Sequence, residues 1–144
     1  MRGVERIVVD ASVVVKWFVE EEGSEEALKI RRKYVEGEAE VIAPELILFE
    51  TLSALRYKGL FTEAEIKRIA ESLDAYAFDL RSLRGEYAAQ AIEAAFENDI
   101  TIYDSSYVSL AVREGAQMYT GDQGLVQKLR EPYLRSVRNI GGAK

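Results

Sequence analysis

The chain contains no cysteine and no histidine. Without cysteine there is no disulfide, no thiolate nucleophile and no iron–sulfur site. Without histidine the commonest general base and the commonest zinc ligand are missing. Ser-His-Asp catalysis and imidazole-based RNA cleavage are therefore excluded. Any acid–base or metal chemistry must fall to carboxylates, Lys, Arg, Tyr or hydroxyl groups. Long hydrophobic runs are missing too, and the longest falls far short of the roughly 20 residues that a membrane span needs. With no signal peptide in the opening Met1-Arg2-Gly3-Val4-Glu5-Arg6, a cytoplasmic protein is expected.

What remains is ample for a folded core. The 144 residues suit one domain, and 48% of them are hydrophobic. No linker, repeat or low-complexity tract divides them, so a single domain over 1–144 is expected. The net charge of −6 is unusual for a nucleic-acid coat protein, which is more often basic. It is compatible with an enzyme whose acids collect in one site.

Short β-branched runs alternate with helical segments. Ile7-Val8-Val9 reads as a buried strand ending at Asp10, and Ser12 is placed to cap a short helix. The run Glu20-Glu21-Glu22 reads as a mobile, solvent-facing loop. Ser24 starts a helix to about Val35. Val41-Ile42-Ala43 is a second strand, with Pro44 expected in the first turn of a helix that runs to Lys58 and stops at Gly59. Thr62 and Glu65 form a capping box for a helix to about Ala75. Ala77 to Leu80 reads as a short strand and Glu86 to Glu97 as a helix. Ile100-Thr101-Ile102-Tyr103 reads as a strand ending at Asp104, followed by a helix from Ser105 to Glu114. Gln117 to Thr120 is the next strand, Leu125 to Leu129 the next helix, and an edge strand is expected near Val137. This alternation predicts an α/β protein: three α/β/α layers around a mainly parallel sheet.

Three predicted strands thus lead into Asp10, Asp104 and Asp122. In a parallel sheet the carboxyl ends share one edge, and ligands bind in the crevice there. Each aspartate also has an ordinary reading as a helix cap or turn residue. Glu50 is the fourth acid, in the apolar helical stretch Leu46 to Leu55, where its neighbours one turn away are Leu46, Ile47, Ser53 and Ala54. A charge there needs a cation or hydrogen bonds. Its alternatives are a helix edge or a pairing with Arg56. If the four acids converge, like charges raise one another's pKa until a divalent cation relieves them. Oxygen ligands favour Mg²⁺ or Mn²⁺. Ser12 and Thr120 flank two of the aspartates as supporting hydroxyls, or serve only capping and strand propensity. Lys16 lies six positions beyond Asp10, near enough to approach a phosphate. Arg31-Arg32-Lys33, Lys67-Arg68 and Arg130 with Arg135 and Arg138 are basic groups that guide phosphate or merely solvate helix faces.

Val9-Asp10-Ala11-Ser12, Glu50, Tyr103-Asp104-Ser105-Ser106-Tyr107 and Thr120-Gly121-Asp122 together resemble the four acidic stations of PIN-domain ribonucleases, and the order of elements resembles the VapC-type toxins of toxin–antitoxin pairs. The resemblance runs from about Ile7 to Leu129. It implies a parallel-sheet fold, a Mg²⁺ or Mn²⁺ site at Asp10, Glu50, Asp104 and Asp122, support from Ser12 and Thr120, and hydrolysis of phosphodiester bonds in RNA. It further implies an antitoxin partner and a homodimer, built on the helices after Pro44 and Thr62 with Leu52, Leu55, Leu60, Phe61 and Ile66. Two other readings compete. One is a non-catalytic RNA- or protein-binding module on the same fold. The other is a phosphoryl-transfer receiver or phosphatase, which typically carries a second acid beside the first-strand aspartate; here Ala11-Ser12-Val13 follows Asp10 instead.

Overall fold

The computed structural model describes residues 3–141. Five strands form one sheet: β1 (Glu5–Val9), β2 (Ala39–Pro44), β3 (Asp79–Arg81), β4 (Gln117–Thr120) and β5 (Val137–Asn139). Their order is β3-β2-β1-β4-β5, and every pairing is parallel. The expected mainly parallel sheet is thus wholly parallel over these residues, with helices on both sides. Ile7 pairs with Val41 on one side and Gln117 on the other, so β1 is central. Val8 and Val9 point to opposite faces, yet both are fully buried. That is the mark of a strand covered by helices on both faces.

The helices are α1 (Ala11–Val15), α2 (Ser24–Val35), α3 (Leu46–Lys58), α4 (Glu63–Tyr76), α5 (Gly85–Asn98), α6 (Ile102–Glu114) and α7 (Gln123–Lys128). α1 packs on α3, which meets α4; α5 packs on α6, which lies across β1, β2 and β4. Ile42, Ile47, Leu55, Tyr107, Leu110 and Met118 are the largest fully buried side chains of this core. The only tryptophan, Trp17, is buried where α1 gives way to the loop before α2. Its indole N–H donates to the Ala27 carbonyl at 2.8 Å, and Tyr76 and Phe78 meet its ring edge-on at 5.1 and 5.9 Å.

The capping box at Thr62 and Glu65 is present, and α3 ends at Gly59 with φ +73°, a conformation that glycine adopts without strain. Three expectations are corrected. Ile100 to Tyr103 is not a strand: α6 already begins at Ile102, because the Thr101 hydroxyl accepts from the Asp104 N–H at 3.0 Å and caps it. The β-branched composition suggested a strand, but a Thr three residues before an Asp is also a cap, and the cap prevails. Pro44 closes β2 and does not open α3. Asp10, not Ser12, caps α1, leaving the Ser12 hydroxyl free for other work.

The chain moves outward from β1 to β2 and β3, then returns to β4 on the other side of β1. The strand order therefore reverses between β1 and β4. This leaves a crevice at their carboxyl ends, where Asp10 and Asp122 follow the last strand residues.

Candidate functional site

Asp10 is the most enclosed acid, 8% exposed. Its Oδ1 accepts from the Ser12 backbone N–H at 3.1 Å and from the Ser12 hydroxyl at 2.5 Å. Its Oδ2 accepts from the Thr120 hydroxyl at 2.5 Å. Each hydroxyl is itself oriented by a backbone donor: Gly121 N–H donates to Ser12 Oγ at 2.7 Å, and Asp122 N–H donates to Thr120 Oγ1 at 3.0 Å. With their lone pairs engaged, the two hydroxyls point their protons at Asp10. Burial pushes the Asp10 carboxyl up to about 6 against the pull of these hydrogen bonds, and Asp122 adds to the rise. Ser12 and Thr120, singled out from sequence, do meet at this carboxylate.

Asp122 is exposed and caps α7, accepting from the Leu125 N–H at 3.0 Å. Asp104 is half-buried in the first turn of α6. Its carboxyl is raised by burial and then by Asp122. Glu50 is half-buried on α3, and its Oε1 accepts from the Tyr107 hydroxyl at 2.7 Å. Burial raises its carboxyl, the Tyr107 bond opposes this, and Asp104 raises it further. Glu50 therefore pairs with neither Arg56 nor any other cation among the described residues. Tyr107 is one turn beyond Asp104 on the same face of α6, a spacing from which its role was readable in principle.

All four acids line one open cleft of about 780 Å³, with Ser12 and Tyr107 in its wall. They feel one another in sequence: Asp10 with Asp122, Asp122 with Asp104, Asp104 with Glu50. Among the described residues no three acids stand close enough to hold one ion jointly. The donor set still suits Mg²⁺ or Mn²⁺: it is all oxygen, partly buried, and poor in balancing cations. Mg²⁺ binds few protein ligands and keeps several waters, so a wide acidic cleft is compatible with it.

Two expectations about the surroundings change. Glu21 does not wave in solvent: both of its carboxylate oxygens are held by lysines at the edge of the cleft. Leu55 is fully buried in the core and Leu52, Phe61 and Ile66 pack against it, leaving Leu60 as the exposed member of the expected dimer surface. No sequence signal pointed to Lys58, Phe49 or Tyr57, which also border the cleft, because α3 lacks a polar stripe to orient it. Of the basic groups, Lys33, Lys67 and Arg135 are engaged by Glu5, Glu63 and Glu131.

The family model for the PIN domain matches residues 7–130. Ribonuclease VapC3 of Pyrobaculum aerophilum is 29% identical over 130 residues, 85% of this chain and 94% of that protein. A toxin–antitoxin complex from Klebsiella pneumoniae contains a chain of the same fold, with TM-score 0.68 and 11% identity, over 93% of this chain and 97% of that one. The Mycobacterium tuberculosis VapC20, described as a Sarcin-Ricin loop cleaving toxin, aligns with TM-score 0.63 and 16% identity over 86% and 98%. An acid-lined crevice at the switch point of a β3-β2-β1-β4-β5 parallel sheet, in a stretch that the family model spans almost entirely, makes this chain a member of the PIN-domain family.

Proposed function

We propose that this protein is a divalent-metal-dependent endoribonuclease that hydrolyses phosphodiester bonds in RNA, and that it is the toxin of a VapBC-type pair. The observation that carries the reading is the gathering of Asp10, Glu50, Asp104 and Asp122 on one cleft at the sheet's switch point. The relative named as a ribonuclease and the family membership support it. A bound Mg²⁺ or Mn²⁺ supplies a nucleophilic water at neutral pH and offsets charge on the phosphate. Asp10, Glu50, Asp104 and Asp122 are the residues that hold the ion or orient its waters. Ser12 and Thr120 fix Asp10 and partly offset the cost of its ionisation by donating to both its oxygens. Tyr107 does the same for Glu50 through a single bond.

A cognate antitoxin is the proposed protein partner, on the strength of the toxin–antitoxin complex of the same fold. A homodimer is proposed as well. Phe49, Tyr57 and Leu60 are strongly exposed along α3 and just beyond it, which leaves apolar surface to cover. Among the described residues no helix is long and apolar enough to cross a membrane, and action in the cytoplasm is part of the proposal.

The test is cleavage of labelled RNA with Mg²⁺ or Mn²⁺, with and without EDTA. Metal-dependent cleavage that Asp104→Asn abolishes in a folded protein is expected. Tight RNA binding without cleavage of any substrate would favour the non-catalytic module instead.

A further inference from the structure

The cleft that must receive an RNA phosphate is lined by five carboxylates, those of Asp10, Glu21, Glu50, Asp104 and Asp122, and among the described residues by a single cation, Lys58. A polyanion entering it meets repulsion from every side but one. The cations that offset this should lie at the rim, and two do. Lys58, at the end of α3, and Lys16, just beyond α1, converge on Glu21 from different directions. Lys16 Nζ stands 2.9 Å from Glu21 Oε2, and Lys58 Nζ stands 3.0 Å from Oε1. Each carboxylate oxygen thus occupies one ammonium.

The arrangement is built and not incidental. The Lys16 side chain, 10% exposed, runs close past two glycines: a Cβ added at Gly23 or at Gly121 would lie 3.0 Å from its Cε, so a larger residue at either position would push the ammonium from its place. Glu21 is set by its own loop, where Ser24 Oγ accepts from the Glu21 N–H at 2.9 Å and donates to the Val19 carbonyl at 2.9 Å. Beyond Glu21 and Lys16 a second hollow of about 510 Å³ opens, lined also by Gln123 and Asn139. Glu21 therefore lines both hollows.

We propose that Lys16 and Lys58 form a two-point seat for a backbone phosphate of single-stranded RNA next to the cleaved bond, and that Glu21 fills this seat until RNA displaces it. A phosphodiester presents two non-bridging anionic oxygens, as a carboxylate does, so it replaces Glu21 charge for charge. The lysines stay neutralised in both states, and Glu21 acts as an internal competitor that weakens unspecific binding. The seat rests on the ribonuclease reading for its substrate.

Glu21→Gln, Lys58→Gln and Lys58→Arg test it, all at partly exposed positions where single ion pairs add little to stability. Lys58→Gln should raise KM for a single-stranded oligonucleotide about tenfold, the loss of one charge-assisted contact, with kcat nearly kept. Its salt dependence of binding should flatten by about 0.7 in log–log slope, the value for one lost single-strand phosphate contact. Lys58→Arg should behave like the parent. Glu21→Gln should lower KM severalfold, and that gain should vanish in the Glu21→Gln/Lys58→Gln double variant. A parent that cleaves while Lys58→Gln keeps the parental KM and salt slope overturns the seat. If the parent cleaves nothing, RNA affinity measured by fluorescence anisotropy with Ca²⁺ still decides. A response to Glu21 and Lys58 upholds the seat while the nuclease reading falls, and no response overturns both.

Discussion

Asp10 and Glu50 border the same cleft but are held in opposite ways. Asp10 follows the central strand, is nearly sealed off, and has both oxygens engaged by hydroxyls whose direction the backbone sets. Glu50 sits on a helix, half-open, and rests on one phenol. One acid is preorganised and costly to ionise; the other is adjustable. A site that must bind a hydrated ion and then a bulky polyanion needs both a fixed anchor and a side that yields.

Removing the anchor should do most. Asp10→Asn should lower the rate of RNA cleavage by about 10²- to 10³-fold, the scale on which single preorganised polar groups act, measured in single-turnover assays. A rate near the parent's would place the chemistry at the open side instead.

The next effect concerns pH in the absence of divalent ions. The Asp10 carboxyl is raised from 3.8 to about 6 in the folded chain. A folded pKa above the unfolded one means that the folded state binds the proton more tightly. The stability this contributes is complete below about pH 3.8 and is lost as pH rises through 6, about 3 kcal/mol in all. In EDTA, the difference in unfolding free energy between Asp10→Asn and the parent should therefore shift in the variant's favour by about 2 kcal/mol between pH 4 and pH 7. A pH-independent difference would show that Asp10 is not strained by ionisation.

Thr120→Val removes one of the two hydroxyls aimed at Asp10. Mn²⁺ affinity, read by calorimetric titration, should fall about 10- to 100-fold, as when other groups that orient metal ligands are lost. The smallest effect is expected on the yielding side. Tyr107→Phe should cost about 1 kcal/mol of stability in denaturant unfolding and reduce cleavage only modestly. If Tyr107→Phe proves as damaging as Thr120→Val, the contrast between anchor and yielding acid disappears.

Much of this was legible from residues alone. Ile7-Val8-Val9 and Val41-Ile42-Ala43 announced themselves by β-branching, Thr62 and Glu65 by capping chemistry, Asp10 and Asp122 by their position after strands, and Glu50 by its place in an apolar helix. Asp104 belongs to the cleft for a reason other than the one its sequence suggests. It follows no strand, and it reaches the cleft from the first turn of α6. Local composition at Ile100 to Tyr103 fits strand and helix start alike, and only the Thr101 cap separates them. The Tyr107–Glu50 and Lys58–Glu21 pairs are not legible in the sequence, because they join α6 to α3 and α3 to the loop after α1, elements whose mutual placement no local pattern encodes. Leu55 was assigned to a surface because α3 is apolar nearly all round, so its sequence does not say which side faces inward.

The buried indole between α1 and α2 has a practical consequence. Trp17 lies seven positions beyond Asp10, and no second tryptophan blurs its emission. The native protein thus carries its own optical gauge: titrating Mn²⁺ or RNA while following that one fluorophore reports, without any label, whether filling the cleft tightens or loosens the packing of α1 against Tyr76 and Phe78.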